Sequence, residues 1–219
     1  MVLAPKQRVL IVDDHPMIRN AFRELLEDEP DLEVAGEAES VENSIRQVQD
    51  LKPDVMIVDL SLQDASGLEL IKQTRALLPE IRIIVVSMHD ERLYAERALR
   101  AGANGYVSKH EPSEAILAGI RRVLEDKIAL SDAMQERLLR RLQDGTNGLD
   151  QSVVESLSDR ELEVFELIGE GLSTREIAGR LKLSVKTVDT HRHRIKEKLN
   201  IKSSSQLVRH AVKWSLENE

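Results

Sequence analysis

A chain of 219 residues with 41% hydrophobic content has apolar surface enough for one large or two modest cores, and two domains is the better expectation at this length. It contains no cysteine, which excludes disulfides and thiolate metal sites and leaves oxygen or nitrogen ligands for any metal. The net charge of −8 argues against a nucleic-acid partner only as an average: residues 1–154 hold 19 basic and 28 acidic residues, whereas 180–202 hold 8 basic and 2 acidic. No apolar stretch has the length to cross a bilayer, and the opening Met1-Val2-Leu3-Ala4-Pro5-Lys6 is too short for a signal peptide, so a cytoplasmic protein with no membrane partner is expected.

Apolar runs of strand length recur at Val9–Val12, Leu32–Ala38, Val55–Val58, Ile81–Val86 and Gly105–Val107, each followed by an amphipathic segment of helical length. Helix starts are marked by Pro16 after Asp14-His15, by a capping box at Ser66-Gly67-Leu68-Glu69, and by Pro112-Ser113. Strands this uniformly apolar are buried on both faces, which predicts an α/β domain with a five-stranded, doubly wound parallel sheet. Ligands of such sheets bind beyond the carboxyl ends of the strands, where Asp13, Asp14, Asp59, Ser87 and Lys109 fall.

Three clustered carboxylates repel one another, and a divalent cation on oxygen ligands relieves that repulsion; Mg²⁺ fits best. Asp59 then serves as the nucleophile that accepts a phosphoryl group. The metal and the Lys109 ammonium neutralise the developing oxygen charge, and Ser87 hydrogen-bonds the product. One Asp at a strand end is usually a solvated helix cap and one Lys a surface charge, but five such positions on four strands read as a site. Ser61 and His89 each lie two residues past a site residue, flank the path of attacking water, and are expected to tune phosphate loss.

These positions resemble the receiver domain of bacterial two-component response regulators, which have a flavodoxin-like or CheY-like fold, and the resemblance covers residues 1–127. It implies that a sensor histidine kinase phosphorylates Asp59. It also implies Mg²⁺ held by Asp14, Asp59 and a backbone carbonyl, with Asp13 helping through water. Tyr106 occupies the place of the switch aromatic, which turns inward as Ser87 moves toward the phosphate. The chain departs from the family pattern at Leu62 and Gln63, where Met and Pro are common.

Residues 128–152 read as a linker. A helix from Ser131 to Leu142 carries apolar Met134, Leu138 and Leu142, and the turn-rich Gln143-Asp144-Gly145-Thr146-Asn147-Gly148 predicts a flexible joint. In 153–219 one helix-start device repeats. Leu157-Ser158-Asp159-Arg160-Glu161-Leu162 combines a serine cap, a reciprocal glutamate and a hydrophobic staple. Leu172-Ser173-Thr174-Arg175-Glu176-Ile177 matches it in type, and Leu183-Ser184-Val185-Lys186-Thr187-Val188 keeps cap and staple with Thr187 in the glutamate's place. Short helices in tight sequence predict a small all-α helix-turn-helix domain whose second member is Ser184–Leu199. There Val188, His191, Ile195 and Leu199 form one inward stripe, while Lys186, Thr187, Asp189, Thr190, His193, Arg194 and Lys198 face outward, as a helix in a major groove requires.

The strings Leu157-Ser158-Asp159-Arg160-Glu161 and Thr187-Val188-Asp189-Thr190-His191 resemble the LuxR-type, or NarL/FixJ-type, helix-turn-helix over Leu157–Trp214. That resemblance implies Asp189, Thr190 and His193 as base readers and Lys186, Thr187, Arg194 and Lys198 as phosphate contacts. Asp189 stands where Lys is common; it either accepts from a cytosine amino group or pairs with Lys186 or His193 along the helix. A last helix, Ser204–Glu217, carries the stripes Leu207/Ala211/Trp214 and Val208/Val212. Either one faces the core and one a partner copy, giving homodimers on paired half-sites, or both form one wide buried stripe.

The joint expectation is a phosphorylation-controlled transcription regulator that binds double-stranded promoter DNA, with RNA polymerase a candidate further partner. It is not an enzyme beyond slow loss of its own phosphate. One rival is an aspartyl-phosphate phosphatase of the haloacid dehalogenase type, but that signature has an acid two residues after the nucleophile, where this chain has Ser61. The other is a phosphate-independent regulator that uses its receiver for dimerisation.

Overall fold

The computed structural model describes residues 5–62, 66–144 and 153–218 and divides into two units, Met1–Arg140 and Arg141–Glu219. In the first, β1 (Gln7–Val12), α1 (Pro16–Glu27), β2 (Leu32–Ala38), α2 (Val41–Leu51), β3 (Val55–Val58), α3 (Gly67–Leu77), β4 (Arg82–Ser87), α4 (Glu91–Ala101), β5 (Gly105–Ser108) and α5 (Ser113–Leu124) alternate. The sheet order is β2-β1-β3-β4-β5, all parallel. The chain leaves β1 for β2 and then crosses back to β3, so the order reverses at β1/β3, where the crevice of such a sheet opens.

Alternation along the strands explains why these runs read as continuously apolar. Val9, Ile11, Val55, Ile57, Ile84 and Val86 share one face with Phe22 and Leu26 of α1 and Ile116, Ile120 and Val123 of α5. Leu10, Val12, Met56, Val58, Ile83 and Val85 point the other way and are equally buried. Strand β4 runs one residue later than its apolar run, because Ser87 pairs in register with Ser108 at the end of β5. The capping box expected at Ser66 is only half formed. Ser66 Oγ accepts from Leu68 N at 3.3 Å, while Glu69 accepts from Gln73 at 3.1 Å; Ser66 is also bridged antiparallel to Ser61, with Gly67 N donating to the Leu60 carbonyl at 3.0 Å. Gly67 is required there: a Cβ would lie 2.4 Å from the Asp59 carbonyl oxygen.

After α5 the chain returns beside β5. Tyr106 N donates to the Ala129 carbonyl at 2.7 Å and Ala129 N to that of Asn104 at 3.1 Å; a Cβ on Gly105 would sit 2.7 Å from Ala129. The next helix, α6 (Asp132–Asp144), starts at Ser131, whose Oγ accepts from Met134 N at 3.1 Å. Ser131 in turn donates from N and Oγ to the Glu91 carboxylate at 3.0 and 2.5 Å, which ties α6 to the first turn of α4. Of the turn-rich joint expected at 143–148, Gln143 and Asp144 belong to α6 and the rest lies outside the described residues.

The second unit comprises a 3-10 turn (Val153–Ser156), α7 (Asp159–Gly169), α8 (Thr174–Arg180), α9 (Val185–Lys198) and α10 (Ser204–Asn218). Ser158 with Glu161 and Ser173 with Glu176 form complete reciprocal boxes, and Ser184 Oγ accepts from Thr187 N at 3.0 Å. Leu157, Leu162, Phe165, Ile168, Ile177, Val188, Ile195, Leu207 and Ala211 build the core. Gly169 lets α10 approach α7, since a Cβ there would lie 2.8 Å from the Ala211 carbonyl oxygen. No helix among the described residues is long and apolar enough to cross a membrane.

Candidate functional site

Each strand delivers its reactive residue by continuing the ladder one or two steps past its apolar run. Asp59 N donates to the Val12 carbonyl at 2.9 Å, Asp13 N to that of Ala38 at 3.1 Å, and Lys109 N to that of Ser87 at 2.9 Å. The side chains therefore meet at one edge. Lys109 Nζ bridges Asp13 Oδ2 at 2.6 Å and Asp59 Oδ2 at 2.8 Å. Asp13, Asp59 and Ser87 are buried, with Asp59 only 4% exposed.

The pairing is lopsided. Lys109 takes one oxygen of Asp59, while Asp59 Oδ1 is buried without a hydrogen-bond donor. Asp14 Oδ1 is also buried without one, apart from its ion contact with His15 Nδ1 at 2.6 Å. Burial, then the negative charge of Asp13 and Asp59, raises the Asp14 carboxyl above its usual range, with His15 pulling the other way. Burial would depress the Lys109 ammonium, but Asp59 and Asp13 outweigh it and hold the group charged. Asp13, Asp14, His15 and Asp59 each offer a ligand atom within 4.8 Å of the others. The orphaned Asp59 Oδ1, beside an Asp14 Oδ1 that meets only His15, suits a hard divalent cation such as Mg²⁺.

Two positions beside this cluster escaped the sequence reading. His15 is the N-cap residue of α1 and donates its backbone N to Asp13 Oδ1 at 2.8 Å, and Arg19 donates to the Asp13 carbonyl at 2.6 Å. The Asp-Asp-His-Pro order was the available signal for His15; Arg19, one turn into α1, gave none.

Around the pocket mouth, Ser61 Oγ and His89 Nε2 lie 2.9 Å apart, joining the loop after β3 to the loop after β4. Tyr106 is fully buried in the inward position and donates its hydroxyl to the His89 carbonyl at 2.6 Å; burial drives its pKa well above the usual value. The His89 ring packs on Tyr94 of α4, centroids 4.5 Å apart. Gln63, the second family departure, lies outside the described residues, while Leu62 is buried.

On α9, Val188 and Ile195 are fully buried and His191 and Leu199 half-buried. Burial lowers the His191 pKa, and its Nδ1 is buried without a hydrogen-bond partner. Lys186, Asp189, Thr190, His193 and Arg194 are exposed. Thr187 is half-buried, with its hydroxyl 2.7 Å from the Ser184 cap. His193 lies 3.4 Å from Glu197, not from Asp189. Lys198 is exposed as a residue, but its ammonium is held by Glu161 Oε2 at 2.7 Å and the Ser156 carbonyl at 3.0 Å. On α10, Leu207 and Ala211 are buried, Trp214 packs on Phe165 with centroids 5.6 Å apart, and Val208 is exposed.

Comparison with known proteins accounts for both halves. Residues 9–121 match the response regulator receiver domain, and 155–211 match the bacterial regulatory proteins of the luxR family. The oxygen regulatory protein NreC of Staphylococcus carnosus is 34% identical over 214 residues, spanning 95% of this chain and 98% of that protein. NreC of Staphylococcus aureus is 35% identical over 215 residues, with the same coverage. Among solved structures, RcsB of Salmonella enterica serovar Typhimurium, bound to promoter rprA in the presence of the phosphomimetic BeF3-, has 28% identity and a TM-score of 0.67, covering 94% of this chain and 98% of that one. The chain thus belongs to the two-component response regulators of the NarL/FixJ type, in which a receiver domain is joined to a LuxR-type DNA-binding domain.

Proposed function

We propose that Asp59 accepts a phosphoryl group from the phosphohistidine of a sensor kinase, and that this controls binding of α9 to promoter DNA. The observation that carries the reading is the divided Asp59 carboxylate: Oδ2 is fixed by Lys109, and Oδ1 is buried with no donor. In the transfer the kinase N–P bond breaks and an Asp59 O–P bond forms. Lys109 remains beside the new phosphoryl oxygens and offsets their charge. Asp13, Asp14 and Asp59 would hold Mg²⁺, which when bound neutralises further charge on the transferred group. Asp59 is an acceptor and not a turnover catalyst; the only reaction left is slow hydrolysis of its own phosphate, past the Ser61–His89 bridge.

The buried Ser87 hydroxyl is placed to hydrogen-bond the new phosphate, and the loop it begins, Met88-His89-Asp90, leads into Glu91. A ligand moves an equilibrium only by its differential affinity, and the phosphate favours the arrangement in which Ser87 meets it and Tyr106 stays inward. Because Glu91 holds Ser131, a displacement of that loop reaches the start of α6, the helix that leads out of the receiver. In the second unit, the exposed Lys186, Asp189, Thr190, His193 and Arg194 with Thr187 form the DNA face, and exposed Val208 on α10 is available to a second copy on a paired half-site. The DNA-bound RcsB structures support this assignment. DNA binding sets the compartment as the cytoplasm and makes RNA polymerase a candidate partner.

The test is to treat wild type and Asp59→Asn with acetyl phosphate and Mg²⁺ and follow intact mass, oligomeric state and DNA binding. A phosphoryl adduct on wild type alone, with dimerisation or tighter DNA binding, is the expected result. An adduct that changes neither assembly nor binding would transfer the case to a phosphate-independent regulator.

A further inference from the structure

Two adjacent residues at the start of α7 grip the region of α9 at both its ends. Arg160 Nη2 donates to the Leu181 carbonyl at 2.8 Å, in the turn before the Ser184 cap, and Arg160 Nη1 is steadied by Glu163 at 2.6 Å. Glu161 Oε2 accepts from Lys198 Nζ at 2.7 Å, at the last residue of α9. With 14 residues in α9, the two grips are separated by about 20 Å of helix.

The unit contains its own control for what Glu161 does beyond capping. Ser158 N donates to Glu161 Oε2 at 2.9 Å, and Ser173 N donates to Glu176 Oε2 at 2.8 Å, in two boxes of the same design. Glu176 is exposed and its partner is Ser173 alone, whereas Glu161 is 3% exposed and also binds a lysine. A cap needs neither burial nor a cation, and a buried carboxylate is costly unless paired and hydrogen-bonded. Lys198 is equally committed: it donates to both Glu161 and the Ser156 carbonyl, on the side of α9 that faces α7.

We infer that Arg160 and Glu161 are positioning residues that set the angle of α9, and that Lys198 is the anchor of this clamp rather than a phosphate contact. The inference rests on the reading of α9 as the DNA-contacting helix. A phosphate contact and an anchor differ in one observable: a phosphate contact releases counterions and so steepens the salt dependence of binding, while an anchor changes affinity by the same factor at every salt concentration.

The experiment measures binding of the full-length protein to a random-sequence duplex pool across a salt series. Lys186→Ala and Arg194→Ala are each expected to lower the slope of log K against log salt by about 0.9. Lys198→Met leaves the slope at its wild-type value and weakens binding about tenfold throughout, the size of one charge-assisted hydrogen bond. Glu161→Gln keeps the cap, because glutamine serves that position, yet weakens binding by the same factor; the double variant is no weaker than either single one, since both remove one interaction. Lys198→Arg restores binding, and Glu176→Gln changes nothing. If Lys198→Met does not fold, Glu161→Gln and Lys198→Arg decide the matter. A slope loss of about 0.9 for Lys198→Met, or additive losses in the double variant, overturns the inference while leaving the DNA face intact. Unchanged slopes for Lys186→Ala and Arg194→Ala overturn both.

Discussion

The two units keep their candidate functional charges in opposite environments. In the receiver, Asp13 and Asp59 are withdrawn from water and joined through Lys109, and Asp59 Oδ1 remains without a donor. In the helix-turn-helix unit, Lys186, Asp189, Thr190, His193 and Arg194 stand in solvent on one helix. A buried unsatisfied oxygen is strongly biased toward any cation or electrophile that completes it, so the receiver edge is a place for chemistry on one small group. Exposed charges spaced along a helix lose little by waiting in water and act additively on a long polyanion. Substitution in the first region is therefore expected to behave as all-or-none, and in the second as graded.

That contrast can be broken in a definite order. The largest effect is Asp59→Asn, which removes the acceptor; no phosphoryl mass is expected after acetyl phosphate and Mg²⁺, and an adduct of normal yield would move the acceptor elsewhere. Lys109→Ala removes the charge that spans Asp13 and Asp59 and is expected to slow single-turnover phosphorylation by about a hundredfold, whereas a change of only two- to threefold would place this edge with the graded surface. Ser131→Ala takes away the cap of α6 and its bond to Glu91, at about 1 kcal/mol, and is expected to raise hydrogen exchange in the first turn of α6 without reducing the Asp59 adduct. Exchange at the wild-type level would show that the Glu91 contact does not hold that helix.

A pH series sharpens the comparison inside the second unit. Burial alone would raise the Glu161 carboxyl, but Lys198 and the Ser158 cap more than offset it and place it below the usual 4.5. A depressed carboxyl contributes stability that is complete above its unfolded value and is lost as pH falls through the folded one, so the melting midpoint of the second unit is expected to drop below about pH 4.5. Glu161→Gln flattens that drop, and an unaltered acid limb would mean the pair does not support the fold. The smallest effect is at the pocket mouth: Ser61→Ala opens the bridge to His89 and is expected to change the rate of phosphate loss a few-fold, read from the decay of the phosphoryl mass.

Most of the fold was legible because its signals are local. The five apolar runs became the five strands, displaced by one or two residues at some ends, since burial on both sheet faces demands apolar residues without a break. The repeated Ser-x-x-Glu device placed the starts of α7 and α8 to the residue. It failed at Ser66, where the hydroxyl caps Leu68 N and the Glu69 carboxylate accepts instead from Gln73, one turn along the same helix. The outward face of α9 followed from its period, but the destination of Lys198 did not: periodicity says which way a side chain points, not what waits 37 residues upstream.

By itself the sequence determined the element order, the residue types at the carboxyl ends of the strands, and the caps at Ser158, Ser173 and Ser184, because each depends on neighbours within a few positions. Tertiary structure decided which oxygen of Asp59 is bonded, that Tyr106 lies inward against the His89 carbonyl, and that Glu91 and Glu161 grip helices far along the chain. The physical reason is range. Lys109 meets Asp13 and Asp59 from 96 and 50 residues away, and such contacts are set by strand order and helix packing, which bring side chains within 3 Å only after the whole core has closed.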